Sequence, residues 1–359
     1  MKFYENVPIS SLTTMRLGGP ARCVIDVERP EEVSQAYKFA HDNKLRVFVL
    51  GGGANSIGRD EGFSGAIIRN KILGMEIKVA EDNPEYYELR TMGGEVWDKV
   101  VDYACRNGLT GIEALSKIPG TAGAAPVQNI GAYGQDISQV LKNVEVFDLK
   151  DWQYKVLPAE QLNFKYRSSI LNTTEFGRYF VIGLTLRLRK GQMQRPFYNS
   201  LEAYIQENNE SDFSPASIRR MVSEIRAEKL PDPMFIPSAG SFFKNVYIPT
   251  DEIDECQSQG IKVHVGADGN KINTGWLIEQ AGLSGKLIHG FRINPKASLV
   301  LINESARNYA DLVAARNEIA TTIYDKFGFR IEQEPVEIMW WKFWTAASWR
   351  IILKSVNST

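Results

Sequence analysis

Two glycine-rich stretches of this chain are suited to holding phosphate groups. The first is GGGANS at 51–56, and the second covers 114–134, with no charged residue between Lys117 and Asp136. Their backbone N–H groups can turn toward phosphate oxygens because glycine places no Cβ in the way. Each stretch alone could equally be a tight loop between strands. Together they predict a pyrophosphate cradle with these hydrogen-bonding side chains: Asn55, Ser56, Thr121, Gln128, Asn129 and Tyr133.

The residues after the first stretch argue against a Rossmann site. That site needs GxGxxG between a strand and a helix. Ser56 stands at the position of the third glycine, and the following segment leads to another strand at 65–70. The first stretch does follow a buried strand, RVFVL at 46–50, as a phosphate loop should. A dinucleotide held by two separate backbone loops in an α+β fold is the better interpretation.

Helices and strands mix along the whole chain, and they must position these loops. Apolar residues at helical spacing predict helices at these ranges: 30–43, 95–108, 215–229, 274–282 and 308–326. Ser214 and Pro215 suit the start of the third helix, and the LPDP that follows Lys229 ends it near a domain boundary. Further strands are predicted at these ranges: 86–94, 143–149, 179–190 and 297–303.

Length and composition bound the class of protein. A chain of 359 residues predicts two or three domains, and a net charge of −1 offers no surface for nucleic acid. The three cysteines form no CxxC pair, and the three histidines lack metal-ligand spacing, so we expect a reducing compartment and no metal. The N-terminus lacks an apolar signal core, which predicts a cytoplasmic protein without stable membrane association.

Four motifs in this order resemble the UDP-N-acetylenolpyruvoylglucosamine reductase (MurB) family of peptidoglycan precursor synthesis. They are GGGANS, IPGTAGAAPVQNIGAYG, FKYRSSI and AGSFFKN, and the resemblance covers about 12–334. QNIGAYG and GSFFKN are specific, whereas GGGANS alone is a weak motif. The resemblance implies the FAD-binding fold of the vanillyl-alcohol-oxidase (PCMH) type. Two α+β subdomains would hold non-covalent FAD, a third domain would cover the nucleotide-sugar substrate, and NADPH would donate hydride.

The resemblance also implies a division of the chain. The first FAD-binding subdomain is expected at 1–70, the second at 71–213, an α+β substrate-binding domain at 214–338 and a tail at 339–359. We expect a monomer. The implied cofactor residues all lie in the two glycine-rich stretches: Gly51, Gly52, Gly53, Asn55, Ser56, Pro119, Gly120, Thr121, Gly123, Gln128, Asn129, Gly131, Ala132 and Tyr133.

The implied reaction reduces the vinyl ether of UDP-N-acetylglucosamine enolpyruvate to UDP-N-acetylmuramate. Negative charge develops at the α-carbon, so the site needs a cation for the carboxylate, a hydrogen-bond partner and a proton donor. The resemblance assigns these roles to Arg167, Glu334 and Ser241 respectively. Arg167 could otherwise be a solvated arginine, and Ser241 an ordinary turn residue. Glu332 is the rival of Glu334 on the same strand face, and Pro335 departs from the family pattern.

Four further residues are implied to bind substrate. Tyr198 falls where the longer branch of the family places a tyrosine on a loop over the substrate. Arg226, Lys229 and Asn245 match residues near the nucleotide diphosphate or the nicotinamide phosphates. For the two cations, the alternative is the solvated end of a helix, which favours positive charge in any case.

The tail departs from the family. It carries four tryptophans, at Trp340, Trp341, Trp344 and Trp349. We interpret it as a final strand with a poorly ordered end, because its apolar residues have no clean helical period. The alternative is an aromatic segment that touches a membrane or a partner.

Two other functions stay open on the sequence. One is a flavin oxidase of the same fold that is reoxidised by oxygen, although such oxidases often attach flavin through a histidine and none lies near either loop. The other is a non-catalytic module that binds FAD or a nucleotide sugar. Such a module needs no proton donor, so Arg167, Ser241 and Glu334 together argue against it.

Overall fold

The computed structural model describes residues 1–266 and 269–339. The helices in this part of the chain are α1 (Glu31–Asp42), α2 (Trp97–Arg106), α3 (Asn199–Glu207), α4 (Pro215–Lys229), α5 (Ile253–Ser258), α6 (Thr274–Gln280) and α7 (Tyr309–Phe327). The predicted helices are confirmed as α1, α2, α4, α6 and α7. At the start of α4, the Ser214 side chain accepts a hydrogen bond from the Ser217 N–H, as expected of a cap. None of the described helices has the length and apolar character needed to cross a bilayer.

The first region is a small sheet with α1 packed against one face. Its strands are β1 (Lys2–Pro8), β2 (Pro20–Val27), β3 (Val47–Leu50), β4 (Ser56–Gly58) and β5 (Phe63–Asn70). The sheet order is β1-β2-β5-β3, with β1 antiparallel to β2 and the other pairs parallel. The first glycine-rich loop follows β3, so it leaves the sheet at the carboxyl end of a parallel strand.

The second region is a larger antiparallel sheet. The strands of this region are β6 (Met75–Val79), β7 (Tyr86–Met92), β8 (Leu109–Thr110), β9 (Gly131–Ala132), β10 (Gln135–Asp136), β11 (Leu141–Asp148), β12 (Gln153–Pro158) and β13 (Tyr179–Lys190). Strands β9 and β10 form a separate two-stranded sheet. The main order is β12-β11-β13-β7-β6, and β8 pairs with β13. A register shift lies in the β11–β13 pairing near Val181. Phe180 and Ile182 pack with α1, whereas Leu184 and Leu186 pack with α2. All four are alternate residues of β13, so the register shift turns this set from one core to the other.

The third region holds two small sheets and α7. Its strands are β14 (Ser238–Ser241), β15 (Val246–Ile248), β16 (Val263–Gly266), β17 (Gly269–Ile272), β18 (Leu287–Ile288), β19 (Phe291–Ile293), β20 (Val300–Asn303) and β21 (Val336–Ile338). The orders are β14-β20-β19-β18 and β15-β17-β16. Strand β21 leaves this region and pairs in parallel with β4 of the first. The C-terminal part of the described chain therefore returns to the first glycine-rich loop.

Helices α3 and α4 form a separate small core. Its buried residues are Phe197, Leu201, Ile205, Ile218, Met221, Val222 and Ile225. Arg219 of α4 donates hydrogen bonds to Asp98 and Asp102 of α2, which attaches the pair to the second region. The domain division at 214 stays a prediction, with α4 lying on the preceding region. The tail tryptophans Trp340, Trp341, Trp344 and Trp349 lie outside the described residues.

Candidate active site

A cleft between the first and second regions brings the two glycine-rich stretches together. It encloses about 1420 Å³, part of it open to solvent. The predicted cofactor residues that line it are Gly51, Gly52, Gly53, Asn55, Ser56, Pro119, Gly120, Thr121, Gly123 and Gln128. Most of the remaining lining is apolar, including Leu50, Val127 and Ile130. A cleft lined by glycine-rich backbone and apolar side chains suits a dinucleotide with a flat ring.

The two stretches touch so closely that only glycine fits between them. A Cβ on Gly52 would lie 2.8 Å from the Gly120 Cα, a contact that backbone cannot relieve cheaply. The Asn55 side-chain amide donates a hydrogen bond to the Gln128 Oε1 at 2.5 Å, which joins the stretches again. The predicted cradle is thus one continuous wall built from two distant parts of the chain.

One hydroxyl in this wall has no protein partner. The Thr121 Oγ1 is buried and makes no hydrogen bond within the described part of the chain. It lies beside Gly51, where an added Cβ would be 2.8 Å from that oxygen. A buried donor without an acceptor is costly, so a ligand oxygen at this point would stabilise the site. The glycine backbone and this hydroxyl fit the pyrophosphate of FAD.

Replacing Thr121 by valine is expected to weaken FAD binding roughly 5- to 100-fold, because the shape stays and the hydroxyl is lost. Flavin fluorescence on serial dilution of the holoenzyme measures the dissociation constant. Thr110→Val is the control, since its hydroxyl bonds Glu113 in the second region and Thr110 is not among the cleft-lining residues. An unchanged FAD affinity in Thr121→Val would refute this role.

Four predicted cofactor residues are not part of the cleft lining: Asn129, Gly131, Ala132 and Tyr133. The Asn129 amide donates a hydrogen bond to the Lys165 carbonyl at 3.3 Å, and the Gly131 carbonyl accepts one from Arg167 at 3.2 Å. This part of the stretch supports the segment that carries Arg167. Its contact with FAD stays a prediction.

Arg167 sits in a strained turn with its guanidinium directed to an acidic partner. Its φ is +53°, and Asn129 and Tyr133 are also left-handed, at +48° and +49°. Non-glycine residues in this conformation cost energy and cluster at functional sites. The Arg167 Nε lies 3.1 Å from the Glu334 Oε1. The Asn172 side chain donates to the Arg167 carbonyl, which holds the turn from behind.

The structure separates the two candidate glutamates. The Glu334 side chain is 9% exposed and pairs with Arg167. The Glu332 side chain is 75% exposed and pairs with Lys244 at 3.4 Å. Burial raises the pKa of Glu334, while Arg167 acts in the opposite direction. Glu334 is therefore the carboxyl that shares a site with the arginine.

The segment that follows Ser241 pairs with the segment that carries Glu334. The Glu334 N–H donates to the carbonyl of Phe242 at 2.9 Å, one residue after Ser241. Phe242 and Phe243 are fully buried and anchor this strand end in the core of the third region. Two residues beyond Glu334, the Val336 N–H donates to the Asn55 carbonyl at 2.9 Å. Pro335 thus leaves the strand attached to the first glycine-rich loop.

The predicted substrate-binding residues have different surroundings. Tyr198 packs edge-to-face against Tyr133, with 5.9 Å between ring centroids. Arg226 donates to the Lys117 carbonyl at 3.2 Å, and burial lowers its pKa. The Asn245 amide donates to the hydroxyl of Tyr166, the residue before Arg167. The exposed side chain of Lys229 lies at the end of α4.

Sequence reasoning missed several residues of the site. Tyr166 also packs against Tyr247, with ring centroids 5.2 Å apart, and its place next to Arg167 was the available signal. The cleft-lining residues outside the glycine-rich stretches had no such signal, among them Tyr37, Asn70, Trp97, Phe176 and Tyr179. No cluster of histidine, cysteine and acidic side chains suited to a metal occurs in the described ranges.

Fold and site together define a flavoprotein of the PCMH type. The FAD-binding domain family model matches residues 21–151, and the C-terminal domain model of UDP-N-acetylenolpyruvoylglucosamine reductase matches residues 232–338. The UDP-N-acetylenolpyruvoylglucosamine reductase of Vibrio vulnificus is 32% identical over 93% of this chain and 94% of its own length. That of Alcanivorax borkumensis is 36% identical over 92% of this chain and 95% of its own. The chain belongs to the UDP-N-acetylenolpyruvoylglucosamine reductase (MurB) family.

A solved structure agrees with the fold. The reductase of Thermus caldophilus superposes with a TM-score of 0.61 at 24% identity, over 94% of this chain and 98% of that one. The predicted fold class is thus confirmed. Family membership also decides for the reductase over the oxidase and the non-catalytic module.

Proposed function

We propose that this chain catalyses the NADPH-dependent, FAD-mediated reduction of UDP-N-acetylglucosamine enolpyruvate to UDP-N-acetylmuramate, a step of peptidoglycan precursor synthesis. The observation that carries the proposal is the Arg167–Glu334 pair beside the strand end of Ser241, joined by β21 to a glycine-rich cleft. Bound FAD, reduced by NADPH, supplies the hydride for the β-carbon of the enolpyruvyl group.

Arg167 binds the substrate carboxylate in this proposal. Its guanidinium offers a planar fork of donors that matches a carboxylate. As negative charge spreads from the α-carbon into the carboxylate, the attraction to Arg167 strengthens. The left-handed backbone at Arg167 and its bond to the Gly131 carbonyl fix the fork before substrate arrives.

Glu334 acts as a neutral hydrogen-bond donor. Burial raises its pKa, which favours the protonated form that can donate to the developing charge. A substrate carboxylate held by Arg167 would also compete with Glu334 for the guanidinium. Both effects raise the pKa of Glu334 and so favour its neutral form.

Ser241 delivers the proton to the α-carbon. A serine hydroxyl is a weak acid, so it can serve only where the carbanion is strongly basic and its charge is shared. The backbone bond between Glu334 and Phe242, the residue after Ser241, supports this assignment. The roles of Ser241 and Glu334 therefore depend on one short pairing of 242–244 with 332–334.

The remaining predicted residues bind the nucleotide sugar. Tyr198 directly precedes α3 and packs on Tyr133, Arg226 lies on α4 near the same tyrosine, and Asn245 lies beside Tyr166. Lys229 adds positive charge at the end of α4. We also propose that the protein acts as a monomer in the cytoplasm, where nucleotide sugars and NADPH are available.

An absorbance titration of the holoenzyme tests the proposed function. The purified protein should be yellow, NADPH under anaerobic conditions should bleach the flavin band, and the enolpyruvyl substrate should restore it. UDP-N-acetylglucosamine, which lacks the enolpyruvyl group, is the matched control and should restore nothing. A colourless protein, or a band restored by oxygen and not by substrate, would contradict the proposal.

Removing the Tyr198 ring is expected to raise KM for the nucleotide sugar roughly 3- to 30-fold with little change in kcat. The ring is 50% exposed and packs on Tyr133, so it can close over a bound substrate. Steady-state kinetics of Tyr198→Ala measure the effect. Tyr204→Ala is the control: Tyr204 lies on α3, which begins directly after Tyr198, but its hydroxyl contacts Glu224. An equal rise of KM in both variants would mean that α3 is merely destabilised.

A further inference from the structure

Tyr37 is a fully buried tyrosine whose hydroxyl has no hydrogen-bond partner among the described residues. Its side chain is 2% exposed, and its hydroxyl makes no hydrogen bond within the described chain. The ring lies on α1 and packs with Phe147 and Phe180, at centroid distances of 6.1 and 6.2 Å. The other buried members of this core are apolar, among them Val33, Ile68 and Met92. Buried tyrosine hydroxyls usually find a partner, and this one needs an explanation.

The Tyr37 side chain belongs to the wall of the FAD cleft. Asn70 lines the same wall, but its amide already donates to the Val181 carbonyl at 2.8 Å and its side-chain oxygen accepts from the Ile72 N–H. The Tyr37 side chain thus lines the cleft and carries a hydroxyl that makes no hydrogen bond within the described residues. Thr121 presents the other buried hydroxyl of this kind in the described chain.

The positions of these groups orient the dinucleotide. Thr121 and the two glycine-rich stretches meet in one part of the cleft wall, which suits the pyrophosphate. Ile130 lines the cleft next to Gly131, whose carbonyl holds Arg167, so the flavin ring belongs at that end. Tyr37 lies in the core of α1, with Phe180, away from the third region that carries Ser241 and Glu334.

We propose that the Tyr37 hydroxyl donates a hydrogen bond to the adenosine half of FAD and so discriminates FAD from shorter flavins. Adenine ring nitrogens and ribose oxygens are the acceptors that this half presents. The inference rests on FAD as the occupant of the cleft. It adds a positioning residue to α1, an element outside both glycine-rich stretches.

Tyr37→Phe tests the proposal because it removes the hydroxyl and keeps the ring. FAD should dissociate from the holoenzyme with a dissociation constant raised roughly 3- to 30-fold, measured by flavin fluorescence on dilution. Tyr154→Phe is the matched control, because Tyr154 also packs on Phe147 but bonds the Pro30 carbonyl and is not among the residues that line the cleft. Its FAD affinity should equal that of the wild type.

Competition separates the two halves of the cofactor. ADP shares the adenosine diphosphate portion of FAD, and FMN shares the flavin portion. In Tyr37→Phe, the dissociation constant of ADP, measured by displacement of FAD, should rise by the same factor as that of FAD, because ADP loses the same hydrogen bond. The dissociation constant of FMN should not change. Unchanged FAD affinity, or equal weakening of ADP and FMN binding, would overturn the inference. A wild-type protein that contains no flavin would instead overturn the proposed function.

Discussion

Ser241→Ala is expected to slow the reaction of the reduced holoenzyme with the enolpyruvyl substrate by ~10²–10⁴-fold, the range for losing a positioned acid. Reduction of the flavin by NADPH should stay near the wild-type rate, because no α-carbon needs a proton in that half-reaction. Ser241 lies at the end of β14, and Phe242 and Phe243 hold that end in place without the hydroxyl. Stopped-flow absorbance of the flavin, with each half-reaction run alone, measures both rates.

Ser238→Ala is the matched control for this experiment. It removes a hydroxyl from the same strand three residues earlier, at a position whose carbonyl is held by Thr14. Both half-reactions should stay near wild type in the control. Equal slowing of the two half-reactions in Ser241→Ala would mean that the serine shapes the flavin site and does not deliver the proton.

Local features of the sequence predicted the helices well, and their absence explains the helices that were missed. Ser214, Pro215 and the LPDP after Lys229 predict the two ends of α4, and the structure has Pro215–Lys229. Helix α3 buries Leu201 and Ile205, and most of its other residues are polar. Its apolar residues therefore show too little helical periodicity to predict a helix. Its stability comes from packing against α4, which no local pattern contains.

The choice between Glu332 and Glu334 depended on pairing across the chain. Both have the same parity along the strand, so periodicity alone cannot separate them. The separation arises because 242–244 pairs with 332–334, which directs one side chain to Arg167 and the other to Lys244. For the same reason, no local pattern in α1 indicates that Tyr37 lines the cleft.

Glu334→Ala is expected to slow the substrate half-reaction by roughly 10²–10³-fold, the cost of losing one donor to a developing negative charge. Glu334→Gln should be much milder, because the amide is neutral at every pH and can still donate. Glu332→Gln is the matched control: its exposed carboxyl contacts Lys244, so both half-reactions should stay at the wild-type rate. Equal losses in the alanine and glutamine variants would exclude a hydrogen-bond role for Glu334.

The pH dependence of the same half-reaction gives an independent test of this role. Burial raises the pKa of Glu334, so the donor form persists below that pKa and disappears as the pH rises through it. The wild-type rate of the substrate half-reaction should therefore fall on the alkaline side, above the ordinary range of a glutamate. Glu334→Gln should remove that fall, because its amide has no proton to lose in this range. NADPH reduction of the flavin should show no such step in either protein. An alkaline fall that persists unchanged in Glu334→Gln would assign the titration to another group and leave Glu334 as a positioning partner of Arg167.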